Sequence, residues 1–274
     1  MIVDIQDAWP ETFHRLIPGK GKLHDCLSRL VLLPWYRLVK HAYTKADAIT
    51  AVAQTYVDLS GADERGQPSC VVYLGAPFER LDIPIRTESK SGSPFTFVYL
   101  GSMSMNYDLE TVLRAVALLM HDKQNFKVIF AGAGPHEERL RNLSKELKLE
   151  SIIEFAGYLE YDHVASLLRK CHCALNPIVP ECWCAMPNKV ADYFGAGLPV
   201  INSIPGELSE LIRTNDAGAY YQARNAESLA AAMTEYLTHP EIAERQSPNA
   251  RRVGCDLFKR ETTYVEFVQF IEEL

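Results

Sequence analysis

Met186-Pro-Asn-Lys-Val-Ala-Asp-Tyr-Phe-Gly-Ala-Gly-Leu-Pro-Val-Ile-Asn-Ser-Ile-Pro-Gly206, followed by Glu207, decides how this chain folds. It reads as a loop, a short helix, a glycine break and a buried strand. Lys189 and Asp192 lie three apart, so they share one helical face near its N-terminal end. Free backbone N–H groups and a partial positive charge at that end suit a phosphate. Lys189 adds a point charge for a diphosphate, and Asp192 offers an acceptor for the two hydroxyls of a ribose. Ala185, Met186 and Asn188 can add backbone N–H groups to the same diphosphate.

Outward from this stretch the pattern is regular from about residue 95. Apolar runs of strand length (95–100, 126–131, 152–155, 173–177, 199–202, 219–221) alternate with helical periodicity (109–120, 137–147, 164–169, 188–194, 207–212, 226–237). Such alternation predicts βα units around a parallel sheet. The continuous apolar strands predict burial on both faces. Asp162 suits an N-cap, Pro135 a first helical position, and Gly197 a helix end. Upstream, residues 2–5, 47–52 and 69–73 read as strands. A helix spans about 23–45 and is expected to break near Pro34. A last helix spans 261–274. Ser89-Lys-Ser-Gly-Ser-Pro94 reads as a linker. The expected division is 1–80, a linker at 81–94, 95–258, and a final helix, 259–274, that returns to the first domain.

At 274 residues the chain can bury one or two substantial cores. A net charge of −7 argues against nucleic-acid binding. Met1-Ile-Val-Asp lacks the basic start of a secretory signal, and no apolar run approaches bilayer length. The seven cysteines sit within apolar runs, which suits packing in a reducing, cytoplasmic setting. Cys171-His-Cys173 and Cys182-Trp-Cys184 lack the two-residue spacing of a zinc ribbon, so neither a metal nor a cofactor is expected.

The helix and its glycine-rich exit resemble the donor-site signature of the retaining GT-B glycosyltransferases, specifically glycosyltransferase family 4. Asp192-Tyr-Phe-Gly-Ala-Gly-Leu-Pro-Val200 stands where that family usually carries a Glu, a Met-Ala pair and Gly-Lys-Pro-Val. Phe97-Val-Tyr-Leu-Gly-Ser102 resembles the first strand and glycine turn of the donor domain. Val128-Ile-Phe-Ala-Gly-Ala-Gly-Pro135 resembles its second strand and loop. Ile153-Glu-Phe-Ala-Gly-Tyr158 resembles the third, and Gly206-Glu-Leu-Ser-Glu-Leu-Ile212 the helix after the signature. The resemblance implies an α/β fold of GT-B type: one complete Rossmann-like donor domain and a partial second one. It implies sugar transfer, with retention, from a nucleoside-diphosphate sugar, UDP first and GDP second. A glycan or a polyprenyl-linked sugar would be the acceptor, and no divalent cation would be needed.

By the same resemblance, Gly101, Ser102, Gly132, Gly134 and Glu207 approach the donor, and Gly157 and Tyr158 its base. The family often carries Glu-x7-Glu, but eight residues before Asp192 stands Cys184. Glu181 is the nearest acid, so Glu181, Cys184 and Lys189 are the catalytic candidates. The turn Ser102-Met-Ser-Met-Asn-Tyr-Asp108 lacks the cation that relatives place there. The first domain is short for a Rossmann half, which predicts a missing front part of roughly 100 residues or a separate N-terminal polypeptide. From Arg15 to Lys45 the chain carries seven Lys or Arg against Asp25 alone, around Leu30-Val-Leu-Leu-Pro-Trp-Tyr36. Residues 23–45 therefore suit the inner face of an anionic membrane. Two rival functions fit the same scaffold: a UDP-sugar 2-epimerase, and a non-catalytic or partner-dependent nucleotide-sugar-binding subunit.

Overall fold

A computed structural model describes residues 1–17, 21–81, 93–120 and 125–274, with the backbone alone for 15, 16 and 22–25. Most of the expected linker, 82–92, lies outside the described residues, as does Lys20 of the basic stretch. The chain forms two compact units.

The first unit comprises Met1–Leu74, Glu181–Pro187 and Glu261–Leu274. Its sheet has three parallel strands, β1 (Ile2–Ile5), β2 (Ala48–Ala51) and β3 (Ser69–Val71), in the order β1-β2-β3. Helix α1 (Lys22–Lys45) connects β1 to β2, and α2 (Gln54–Ser60) follows β2. Pro34 does not break α1, contrary to expectation. Every residue of β2 is buried, which suits a strand paired on both sides.

The second unit comprises Gly75–Pro180 and Asn188–Arg260. Its elements run β4 (Phe95–Leu100), α3 (Leu109–Leu119), β5 (Phe126–Ala131), α4 (Glu137–Glu146), β6 (Ile153–Gly157), α5 (Tyr161–Leu168), β7 (Cys173–Asn176), α6 (Lys189–Gly195), β8 (Val200–Asn202), α7 (Glu207–Asn215), β9 (Gly218–Tyr220), α8 (Ala226–Thr238) and α9 (Glu241–Leu257). Helix α10 (Arg260–Glu272) follows, and from Glu261 it belongs to the first unit. The sheet is wholly parallel, in the order β6-β5-β4-β7-β8-β9. Growth starts at β4, runs outward through β5 and β6, then restarts at β7 on the other side. This is the doubly wound 3-2-1-4-5-6 arrangement.

All six residues of β4 are buried, as a central strand covered on both faces requires. Phe97, Tyr99 and Phe130 pack with the apolar stripes of α3 and α8, including Val112, Val116, Leu229 and Met233. Cys171 and Cys173 are buried, the packing role expected of them.

Three local expectations need correction. Helix α5 starts at Tyr161 with Glu160 in the N-cap position, so Asp162 lies inside its first turn. Helix α4 starts at Glu137 after His136, so Pro135 belongs to the preceding turn. Helix α9 fills a stretch to which the sequence reading assigned no element. Pro240 sits at its N-cap, where a missing N–H costs nothing, and Pro248 is carried inside it.

α9 matters because it backs the site helix. Phe194 of α6 packs 5.9 Å from Phe258, and Gly254 lies against the backbone of Phe194 and Gly195. A Cβ on Gly254 would stand 2.8 Å from the Phe194 carbonyl. Gly254→Ala is therefore expected to destabilise the protein by about 1–3 kcal/mol, the usual cost of overpacking. Urea unfolding of the variant against the parent checks this.

Candidate functional site

The site lies where the second sheet changes direction. β4 pairs with β7 only at Phe97 with Cys173 and Val98 with Ala174, although both strands run further. Beyond that point the Tyr193 hydroxyl takes the place of ladder bonds. It accepts from the Leu100 N–H at 2.7 Å and donates to the Leu175 carbonyl at 3.3 Å. Tyr193 is fully buried, and burial pushes its hydroxyl well above the ordinary range, so it stays a neutral donor. The bridge ties α6 to the diverging carboxyl ends of β4 and β7. In open α/β sheets such a switch point is where ligands bind.

Four glycines line that edge. Gly101, after β4, has φ +132°, and Gly132, after β5, has φ +139°. Both angles exclude most side chains. The Gly101 N–H donates to Ala131, Gly132 N–H to Gly157, and Met103 N–H to Ala133. Gly134 lies against the Met103 backbone, 2.5 Å from its oxygen at the point a Cβ would occupy. Mutual packing of neighbouring loops thus accounts for glycine at 132 and 134, and the structure brings 101, 132, 134 and 157 together.

Lys189 reaches the same edge from α6. A Cβ on Gly101 would stand 2.9 Å from the Lys189 Nζ and 3.4 Å from the Tyr99 hydroxyl. The ammonium lies 4.2 Å from the centre of the Tyr99 ring and 3.6 Å from that of Tyr107, a cation–π clasp. The Tyr99 hydroxyl donates to the Ser102 carbonyl at 2.7 Å, holding the turn. Lys189 is 9% exposed, so its charge acts in a weakly screened setting. It brings to the Gly101 turn the cation that residues 102–108 lack. With seven residues, α6 has a short dipole, so this ammonium, more than the helix end, makes the position attractive to an anion.

One turn on, Asp192 accepts a hydrogen bond from the Tyr161 hydroxyl at 2.7 Å. Burial raises its carboxyl above the ordinary range, while the Tyr161 bond and Arg260 pull it back. Tyr99, Tyr107, Tyr161 and Tyr193 are the residues sequence reasoning missed. Tyr99 falls in an apolar strand, Tyr193 in the site helix, and Tyr107 and Tyr161 in polar stretches; only a hydroxyl or ring contact marks each of them.

The remaining candidates sit elsewhere. The Ser102 side chain and Tyr158 are exposed, Tyr158 at 74%. Glu207, the first residue of α7, lines an open groove of about 680 Å³ with Gly206 and Tyr220. Asn188 is exposed at the N-cap of α6. Glu181, Cys184, Ala185 and Met186 belong to the first unit. There the Tyr56 hydroxyl accepts from the Ala185 N–H at 3.3 Å and donates to the Trp183 carbonyl at 3.2 Å. Burial pushes the Tyr56 hydroxyl up to about 12, so it remains protonated at neutral pH. Glu181 is exposed, Cys184 half-buried and Met186 buried. Among the described residues, no group of three or more His, Cys, Asp or Glu is placed to hold a metal ion.

The family described as "Glycosyl transferases group 1" matches residues 84–253. The glycosyltransferase WcaL of Salmonella typhimurium, named for colanic acid biosynthesis, is 24% identical over 154 residues, 55% of this chain and 38% of its own. A chitobiosyldiphosphodolichol beta-mannosyltransferase of Yarrowia lipolytica is 28% identical over 120 residues, 43% of this chain and 26% of its own. The chain thus spans well under half the length of these relatives. The Anabaena protein HepE, solved in complex with UDP, superposes on 100% of this chain and 72% of its own, with a TM-score of 0.72 and 15% identity.

The raised Asp192 carboxyl carries a pH signature. A raised folded-state value favours the protonated form in the folded protein. That stabilisation is present below the ordinary carboxylate range and is lost as pH rises through the folded-state value. Asp192→Asn is therefore expected to raise stability at pH 7 by roughly 0.5–2 kcal/mol, the gain shrinking as pH falls through the folded-state value and gone by about pH 3. Thermal unfolding at both pH values checks it. The family match covers the doubly wound sheet and the lysine at its switch point: this chain belongs to the group 1 glycosyl transferases, with a fold of GT-B type.

Proposed function

We propose that the second unit binds a nucleoside-diphosphate sugar and that the protein transfers the sugar, with retention, to a glycan or polyprenyl-linked acceptor. The observation that carries this is the buried Lys189 ammonium beside the Gly101 turn, at the edge where β4 and β7 diverge. In this reading the diphosphate lies over Gly101 and exchanges the π faces of Tyr99 and Tyr107 for a share of the ammonium. The ribose hydroxyls donate to Asp192, offsetting the cost of its burial.

Transfer breaks the bond between the anomeric carbon and the diphosphate oxygen, joins that carbon to an acceptor oxygen, and passes the acceptor hydroxyl's proton to the departing diphosphate. Negative charge grows on the departing diphosphate, and Lys189 opposes it. Removing such a preorganised charge typically costs 10²–10³ in rate. Glu181 and Cys184 remain the candidates for contact with the transferred sugar. UDP is the first choice of nucleotide and GDP the second. The HepE complex with UDP supports the first. A relative described as a GDP-Man:Man(3)GlcNAc(2)-PP-Dol alpha-1,2-mannosyltransferase supports the second, together with a lipid-linked acceptor.

The lysine at the Gly101 turn also weighs against a non-catalytic binding subunit, for which the cation-free turn was one argument beside the short first domain and Cys184 in place of an acid. A site in the cytoplasm, where sugar nucleotides are made, accords with this reading.

Isothermal titration with UDP, GDP, ADP and CMP tests the donor site. Saturable binding of one nucleoside diphosphate is expected, and it is expected to disappear in Asp192→Ala. Lys189→Met keeps the buried stem without its charge. With a competent donor and acceptor it is expected to lower kcat/KM by at least about 10², with the fold intact by circular dichroism. A folded parent protein that binds none of the four nucleotides would remove the donor site. The product's anomeric configuration, read by NMR, checks retention.

A further inference from the structure

Asp192 has two carboxylate oxygens, and α5 engages one of them. Tyr161 is the first residue of α5, 31 positions away in sequence, and its hydroxyl donates to Asp192 Oδ1 at 2.7 Å. Burial, with the Asp192 charge beside it, pushes that hydroxyl above its ordinary range, so it stays a donor at every pH where the protein works. A phenylalanine would supply the same ring to the packing. What the hydroxyl adds is the bond.

That bond decides where the other oxygen lies. The terminal torsion of an aspartate has broad wells, so the carboxylate is poorly oriented by its own rotamer. A hydroxyl donating to a carboxylate is short, charge-assisted and directional, and it fixes the rotation of the group. The other charged groups nearby are Arg260, at the start of α10, which draws the Asp192 carboxyl down, and Arg80, which together with Arg260 draws the Tyr161 hydroxyl down. Arg260 also donates to the Gly75 carbonyl at 3.1 Å, and Arg80 lies 3.8 Å from Asp162. Tyr193, next along α6, feels the Asp192 charge but gives its hydroxyl to Leu100 and Leu175.

We propose that Tyr161 is a positioning residue for donor recognition: by holding Oδ1 it presents Oδ2 of Asp192 to one of the two ribose hydroxyls, and so makes the site read that hydroxyl far more strongly than its neighbour. This rests on the donor-site reading above. The favoured hydroxyl donates to Oδ2. Its neighbour is left with an oxygen whose acceptor capacity the phenol already shares. A nucleotide lacking the favoured hydroxyl leaves a largely desolvated carboxylate with an acceptor unmet, which is the costly case.

The test is isothermal titration of the full chain with UDP and with its two deoxy analogues, each lacking one of the ribose hydroxyls; the GDP series is run beside it. Loss of one hydroxyl is expected to weaken binding at least about tenfold, and loss of the other by no more than about twofold. Tyr161→Phe is expected to weaken the intact nucleotide about three- to tenfold and to bring the two deoxy losses within about twofold of each other. Its acid limb is expected to move as well. The Tyr161 bond pulls the Asp192 carboxyl down, so without it protonation sets in at higher pH. On acidification Tyr161→Phe therefore loses the nucleotide at a higher pH than the parent, the nucleotide's own titration being common to both. Circular dichroism confirms that the variant folds, and the hydroxyl preference of the parent is read without any variant. Equal losses for the two deoxy nucleotides, in a parent that binds UDP or GDP, overturn the proposal and leave the donor site standing. So does a Tyr161→Phe protein that binds all three more weakly by the same factor with an unmoved acid limb, which would make Tyr161 a tie between α5 and α6 alone. A folded parent that binds neither diphosphate removes the donor site and this proposal together.

Discussion

The Tyr193 hydroxyl, holding Leu100 on one side and Leu175 on the other, is the interaction on which the rest of the second unit turns. A parallel sheet that changes direction must part its two central strands at their carboxyl ends. Their backbone groups would then be left without ladder partners in a buried place, at about 1–3 kcal/mol for each unmade bond. One phenol supplies an acceptor and a donor together. In doing so it fixes α6 beneath the gap, and α6 carries Lys189 and Asp192.

From that anchor the site follows by packing. Phe194 and Gly195 pack against Gly254 and Phe258, so α9 sets how close α6 can come. The loops after β4, β5 and β6 are joined through Gly101, Gly132 and Gly157, which bring backbone close to backbone at that edge. Into this edge comes a lysine clasped by two tyrosine rings. The result is a concentrated positive charge beside exposed backbone, with a carboxylate one turn away that burial makes reluctant to ionise. Strain of that kind is common where a ligand is to be met: the protein holds groups whose company improves when the ligand arrives.

The first unit shows a different economy. Its three-stranded sheet buries β2 completely, while α1 turns one face inward, where Ser28 and Tyr36 hold the His14 ring, and leaves another apolar face outside. Residues with identical hydrophobicity, such as Leu32 and Leu30, have opposite fates two positions apart. Helical geometry, not composition, separates them.

Much of this was legible without coordinates. The strands of the second unit could be placed because continuous apolar runs of strand length, punctuated by Gly101, Gly132 and Gly197, have few other readings. Lys189 and Asp192 could be paired because three residues on a helix make one face. What the sequence could not tell was the reach of a side chain across the fold. Tyr193 looks like any core aromatic until Leu100 and Leu175, 93 and 18 positions away, are seen on its hydroxyl. The residues 102–108 look bare of charge until Lys189 arrives from another element. Pro34 looked like a break, yet its helix carries it, because tertiary packing outweighs one lost hydrogen bond. The sequence by itself determined the period of each element, the parallel class of the sheet and the family. Only the tertiary structure decided which hydroxyls, rings and charges meet at the switch point, because those contacts join residues far apart in sequence and depend on distances that no local pattern encodes.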